Sequence, residues 1–448
     1  MAFDSTALSE RLHALTAGSP PARWLVAFSG GIDSTVLLHA LTEACPGAPV
    51  IAVHIDHGLQ PESAAWEEHC RQFAGRLGVN YESRRVVVDT ESGSGVEAAA
   101  REARYAALLP FVGDGECLLS GHHQDDQAET MLLNLLRGSG PAGLAGIGAV
   151  QSFGRGYLLR PLLGVSGADI RAYADAVGLE WIDDPSNVDT RYDRNFLRNE
   201  VMPVLTARWP AAAASLRRSA ELVSESSALL DQLADIDIAA AGAPACLRLE
   251  FIRGLSPARQ RNLLKRAIRL CGLPPPPATR LYQAIDDLLP ARPDAQPVVA
   301  WSGGELRRYR DLLFVLPTLE SMSLSPGLTL TPGAEPAELG ERFGRLALRV
   351  SSGRGIDPAI AGAGLRLAFR RGGEEIRLHA GGPRRKLKKL LQEAGVLPWM
   401  RDYLPLLYAG DRLVAVADLW ISAEAVAEPG IAVDWIGRPS IFAGDENN

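Results

Sequence analysis

Between residues 20 and 200, short apolar runs alternate with stretches whose apolar positions recur every three to four residues. The runs at 24–28, 50–55, 85–88 and 117–119 read as strands, with β-branched content highest in the second and third. Helical spacing over about 34–44, 62–77, 95–109 and 126–137 fills the gaps. Such alternation predicts right-handed βαβ units on a parallel sheet. Ligands of these sheets sit beyond the carboxyl ends of the strands, so the loops after each strand are where chemistry is sought.

From about 204 to 240 the pattern becomes one long helix, with Leu216, Ala220, Val223, Leu230 and Leu233 forming an apolar stripe. Four consecutive prolines at 274–277 join two helices of a second unit at about 245–315. A Ser/Pro/Gly/Thr-rich stretch reads as a linker, and 341–440 mixes short strands with one helix near 385–394. The expected organisation is an α/β parallel-sheet nucleotide-binding domain at 1–204, a linking helix at 205–244, a helical domain at 245–316, a linker at 317–340 and a small α+β domain at 341–448.

The most informative segment runs from Leu25 to Leu38, where a strand passes into Ser29-Gly30-Gly31-Ile32-Asp33-Ser34 and a helix follows. Two glycines let the backbone turn sharply and expose its N–H groups. With the positive end of the next helix they make an anion site, to which Ser29 and Ser34 add hydroxyls. An ordinary strand-to-helix turn capped by Asp-Ser would use some of these residues; the complete string favours the phosphate reading. The Gly-Lys-Ser/Thr of a Walker A loop is absent.

Polar groups gather at the other strand ends. The second strand runs into His54-Ile55-Asp56-His57-Gly58, placed either to meet a nucleotide or to satisfy its own turn. After the fourth come His122-His123-Gln124-Asp125-Asp126, with Glu129 one turn on. One carboxylate suffices for a cap, and so many acids beside a phosphate loop call for a cation. Mg²⁺, held by a few carboxylates and phosphate oxygens, answers that need, with Asp33 and Asp126 as ligands. Glu97, Arg101 and Arg104 share a helix face. Arg194 and Arg198, a turn apart, are guanidinium forks able to clamp a phosphate or a carboxylate.

The SGGxDS string after a strand resembles the PP-loop of the ATP pyrophosphatase superfamily, whose members cleave ATP between the α and β phosphates. That resemblance implies ATP contacts from Ser29, Gly30, Gly31, Ile32, Asp33, Ser34 and His57, and catalytic roles for Asp33, Asp125, Asp126, Arg101, Arg104, Arg194 and Arg198. The segments LRGSGPAGL from Leu136, DPSN from Asp184 and RNFLRNEVMP from Arg194 are similar to those of tRNA(Ile)-lysidine synthetases, as is KLKKLLQEAG from Lys386. This narrower resemblance implies the substrates isoleucine tRNA with a CAU anticodon, L-lysine and ATP. ATP would adenylate the wobble cytidine, and lysine would displace AMP. It assigns tRNA binding to Arg384, Arg385, Lys386, Lys388 and Lys389, and tRNA contact to the 245–316 domain.

Charge agrees with an RNA partner. The chain of 448 residues carries a net charge of -7, yet residues 365–410 hold ten basic and four acidic side chains. Arg384, Arg385 and Lys386 are expected at a helix start, where the macrodipole disfavours cations, with Leu387, Leu390 and Leu391 facing the core. Arg253, Arg259, Arg261, Lys265, Arg266 and Arg269 make a second basic set. Five cysteines without a CxxC pair fit a reducing cytoplasm and argue against a PP-loop tRNA thiolase. A glutaminase-coupled relative would need a further domain, and a scaffold without catalysis would not need Ser29, Asp33, Asp125 and Asp126 together. No run approaches the roughly 18 apolar residues of a membrane span, and the first residues lack a signal-peptide pattern. Oligomeric state is not legible, and a homodimer stands as an open expectation.

Overall fold

The computed structural model describes residues 3–58, 62–87, 96–292, 295–319 and 328–443. The chain divides into two compact units, Met1–Leu230 and Asp231–Asn448.

The first unit begins with α1 (Ser5–Leu15) and is organised on β1 (Trp24–Ala27). Side chains alternate across that strand: Trp24 and Val26 enter the core beneath α1 and α2 (Ile32–Ala44), while Leu25 enters the core on the opposite face. Burial on both faces is what makes the strand a continuous apolar run. The chain continues through β2 (Val50–Asp56), α3 (Ser63–Arg76), β3 (Asn80–Arg85), α4 (Val96–Leu108), β4 (Cys117–Leu119) and α5 (Gln124–Leu136). After the short α6 (Pro141–Leu144) come β5 (Val150–Phe153), β6 (Gly156–Leu159) and α7 (Gly167–Val177). The sheet order is β3-β2-β1-β4-β6-β5, parallel except for the edge strand β5. The chain leaves β1 toward β2 and β3, then returns to β4 on the other side, so the topological switch lies between the carboxyl ends of β1 and β4.

The third strand differs from the expected 85–88. It is Asn80–Arg85, at the sheet edge and largely exposed, so its sequence is polar; Val88 lies outside the described residues. The long helix also starts later. Pro210 separates α8 (Asp193–Phe196) and α9 (Met202–Arg208) from α10 (Ala212–Ala241). Between α8 and α9, Leu197–Val201 form a π-helical turn. Pro203 has no N–H to offer the preceding turn, and the wider turn accommodates that gap.

In the second unit, β7 (Gly242–Ala243) and β8 (Cys246–Arg248) lead to α11 (Leu249–Gly254), α12 (Pro257–Leu270) and α13 (Ala278–Gln283). These helices pack with β9 (Val298–Trp301), β10 (Gly304–Tyr309) and β11 (Leu312–Leu316), so the 245–316 region is mixed rather than purely helical. Two five-stranded sheets follow, one centred on Pro405–Ala409 and the other on Gly430–Ile436. The 317–340 stretch is not a linker throughout: Thr329–Leu330 and Ala337–Glu338 pair into these sheets, and Leu330, Ala337 and Leu339 are buried. Among the described residues no helix is long and apolar enough to cross a membrane.

Candidate active site

The turn after β1 is shaped by what glycine permits. Gly30 has φ +84°, and a Cβ there would lie 2.5 Å from Ile182 Cδ1 and 2.7 Å from Cys70 Sγ. Both conformation and space exclude a side chain. Gly31 is the N-cap of α2 and supplies no side-chain cap, which leaves the helix's first N–H groups and positive end open. Ser34 braces the turn: its Oγ accepts from the Ser29 N–H at 3.2 Å and donates to the Gly31 carbonyl at 3.0 Å.

A cavity of about 410 Å³ opens in front of this turn. Val53, Leu118 and Leu158 contribute apolar wall, while Asp33, His57 and Arg104 contribute polar groups. Burial pushes the His57 pKa down, and its Nδ1 is buried with no hydrogen-bond partner. A neutral imidazole with an unmet ring nitrogen at a cavity wall fits a hydrogen-bonding ligand. Its neighbours are structural: His54 bonds the Phe28 carbonyl at 2.9 Å, and Asp56 accepts from the Gly58 N–H at 2.7 Å.

The acidic cluster is built around His123, the N-cap of α5. Its Nδ1 accepts from the Asp125 N–H at 3.2 Å, which places the ring proton on Nε2. Nε2 lies 3.6 Å from both Asp33 Oδ1 and Asp126 Oδ2. Asp126 Oδ2 also accepts from the His123 backbone at 2.9 Å, and Asp126 Oδ1 takes Arg194 Nη2 at 2.9 Å and Arg198 Nη2 at 3.0 Å. Glu129, 1% exposed at its side chain, receives Nε of both arginines at 2.9 and 2.7 Å. Burial alone would raise the Asp126 carboxyl, but His123, Arg194, His122 and Arg198 hold it at about 2. Arg198 is pushed down by burial and, more strongly, up by Glu129 and Asp126. Asp33 goes the other way: burial raises its pKa, Asp126 and Asp125 add to this, and His123 and Arg198 oppose it.

These contacts separate carboxylates that the sequence treats alike. Asp126 is read above as a metal ligand beside Asp33, but both of its oxygens are already taken by donors. Asp125 does not line the cavity; its Oδ2 accepts from the Gly167 N–H at 3.1 Å. Asp33 has no hydrogen bond among the described residues and faces the cavity with a raised pKa, so it fits a hard cation. No group of three or more His, Cys, Asp or Glu among the described residues is arranged to hold a metal. An ion here would take most of its ligands from phosphate and water.

Arg104 lines the cavity and stands over the Tyr105 ring, whereas Arg101, also over that ring, is exposed and does not line the cavity. Ile32 contributes its backbone to the turn and its side chain to the core. His123 and Glu129 carry more of the site's geometry than the sequence assigns them; their signal was their place in the same acidic run. Trp66 of α3 lines the cavity with no sequence signal at all.

In the second unit, Arg385–Lys386 form a strand pairing Glu375–Ile376, and the helix begins only at Leu387. The basic residues therefore precede the helix rather than opening it. Arg384 pairs with Glu424 at 3.3 Å and Arg385 with Glu393 at 2.6 Å, while Lys386, Lys388 and Lys389 are exposed without ion-pair partners among the described residues. Leu387, Leu390 and Leu391 are buried, as their spacing requires.

A parallel sheet with an open-amide glycine turn at its switch point, fronted by a carboxylate, defines a PP-loop nucleotide-binding protein. The chain matches the family described as PP-loop domain over residues 4–205, the TilS substrate binding domain over 247–314 and the TilS substrate C-terminal domain over 365–435. A tRNA(Ile)-lysidine synthase of Alkalilimnicola ehrlichii is 47% identical over 92% of this chain and 93% of its own length. One of Methylococcus capsulatus is 42% identical over 93% and 97%. The chain belongs to the tRNA(Ile)-lysidine synthase family. Among solved structures it is similar to a U34-tRNA thiolase from Methanococcus maripaludis, at 17% identity over 48% of this chain and 78% of that one, with a TM-score of 0.41.

Proposed function

We propose that this protein uses ATP to join L-lysine to the wobble cytidine of an isoleucine tRNA bearing a CAU anticodon, giving lysidine with release of AMP and pyrophosphate. The observation that carries the reading is the open glycine turn, whose Ser29 and Gly31 line one cavity together with Asp33 in the first turn of α2, in a chain of this family. In the first step the cytosine O2 attacks the α-phosphorus and pyrophosphate leaves. The first amides of α2, which no side chain caps, would stabilise charge developing on that leaving group. Mg²⁺ accompanying ATP would be held by Asp33 and would neutralise phosphate charge.

In the second step the ε-amine of lysine attacks C2 of the adenylated base and AMP departs. The amine must shed a proton, since its free pKa is about 10.4. Asp126, held at about 2 and clamped by two guanidiniums, is a weak acceptor. Asp33 has a raised pKa and is free once pyrophosphate has gone with its cation, so we assign it the proton. Arg194 and Arg198 then act by fixing Asp126 and Glu129. Five free cysteines accord with a cytoplasmic enzyme; the reading accommodates a monomer or a homodimer.

Incubation with ATP, labelled lysine and tRNA, followed by nucleoside analysis, tests this reading. Lysidine and AMP are expected from the native protein. Asp33→Ala is expected to abolish both while tRNA binding persists. Lysidine formed at the native rate by that variant would overturn the assignment.

A further inference from the structure

The second basic set expected along 253–269 separates, in the structure, into cations that are used up and cations that are not. Arg253 donates to the Leu289 carbonyl at 2.9 Å. Arg259 grips buried Asp237, Arg266 binds Asp235 through two bonds of 2.7 and 2.8 Å, and Arg269 pairs with Asp231 at 2.5 Å. These three arginines fasten α12 to the carboxylates of α10 and carry little net field outward. Arg261 and Lys265 remain. They stand one turn apart on α12, and neither has an acidic partner among the described residues. Like charges at that spacing destabilise a helix unless something between them is negative. The Arg261 guanidinium lies 5.4 Å from the ring centroid of Tyr282, which is 51% exposed on α13.

The pattern extends to all lysines. The chain has forty-two arginines and four lysines. Many of the arginines are in ion pairs, but Lys265, Lys386, Lys388 and Lys389 are all exposed and unpaired among the described residues. Lysine is a compact, strongly hydrated charge suited to a phosphate oxygen without fixed fork geometry. Cations beside an exposed aromatic ring are the combination that takes a nucleic-acid backbone and an adjoining base or ribose.

We propose that Arg261, Lys265 and Tyr282 form the RNA-contacting patch of the 247–314 region, and that Arg259, Arg266 and Arg269 hold the fold and do not touch RNA. This rests on the tRNA-modifying reading above and adds to it a surface of the second unit.

The test is filter binding of the full-length protein to CAU-anticodon isoleucine tRNA across a salt series. For Arg261→Ala/Lys265→Ala the slope of log K against log salt is expected to shrink by about 1.4 to 1.8, at about 0.7 to 0.9 per phosphate. The pair-deleting variant Arg266→Gln/Asp235→Asn is expected to lower the melting temperature and keep the native slope. Lys265→Glu alone changes one exposed side chain and is expected to weaken binding, which keeps the test decisive should the double variant misfold. An unchanged slope in the first variant, with a reduced one in Lys386→Ala/Lys388→Ala/Lys389→Ala, overturns the patch and leaves the tRNA reading standing. Equal slope losses in the Arg261/Lys265 and Arg266/Asp235 variants overturn the division between free and spent cations. No binding by the native protein sinks the tRNA reading itself.

Discussion

His122 shows how one side chain ties the site to pH. Burial pushes its pKa down to about 3, and its Nδ1 lies 2.8 Å from Ser120 Oγ. The folded state therefore holds this ring neutral where the unfolded chain, with a pKa near 6.5, would protonate it. Stability contributed by the neutral ring is complete above about pH 6.5 and drains away as pH falls toward 3. Asp126 also has a lowered pKa, but its contribution is lost only below about 4, so the two windows are distinct. His122→Gln keeps a bond to Ser120 and is expected to flatten the fall in melting temperature between pH 6.5 and 4. Parallel curves for the two proteins would remove His122 as the cause. At this scale the sequence announces that Asp125 and Asp126 matter but not how they differ. They are adjacent on a helix start, and only the helix phase turns one toward Gly167 and the other toward two arginines.

At the scale of elements, the connection between α5 and the α8–α9 segment is one buried charge network. Glu129 accepts from Arg194 and Arg198 while Asp126 accepts from both as well. Removing one member of such a set leaves its partners desolvated and uncompensated, at a cost of about 3 to 5 kcal/mol. Glu129→Gln is therefore expected to lower unfolding stability in urea by about 3 kcal/mol and to reduce lysidine formation through displaced arginines. A loss under about 1 kcal/mol would mean the network is not what joins these helices. Helical spacing made α2 through α5 legible to within a few residues. The π-helical turn was not, because its cause is a missing N–H at Pro203, which a hydrophobic pattern does not register. Edge strand β3 escaped for a related reason: exposed residues need not be apolar.

For the whole molecule, the strand–helix alternation and the glycine turn made the first unit's fold and the position of its open turn readable. The strand order and the antiparallel edge hairpin were not, since no local pattern encodes which strands become neighbours. The second unit was harder still, because several of its strands are two residues long and leave no periodicity to detect. Composition showed the clustering of lysines, but pairing had to be seen in space. That distribution has a practical consequence. Amine-directed acylating reagents meet four side chains in this protein besides its α-amino group, all of them exposed. Protection of Lys265, Lys386, Lys388 and Lys389 from acylation when tRNA is added, read by peptide mass, would then be a map of the docked nucleic acid with almost no background.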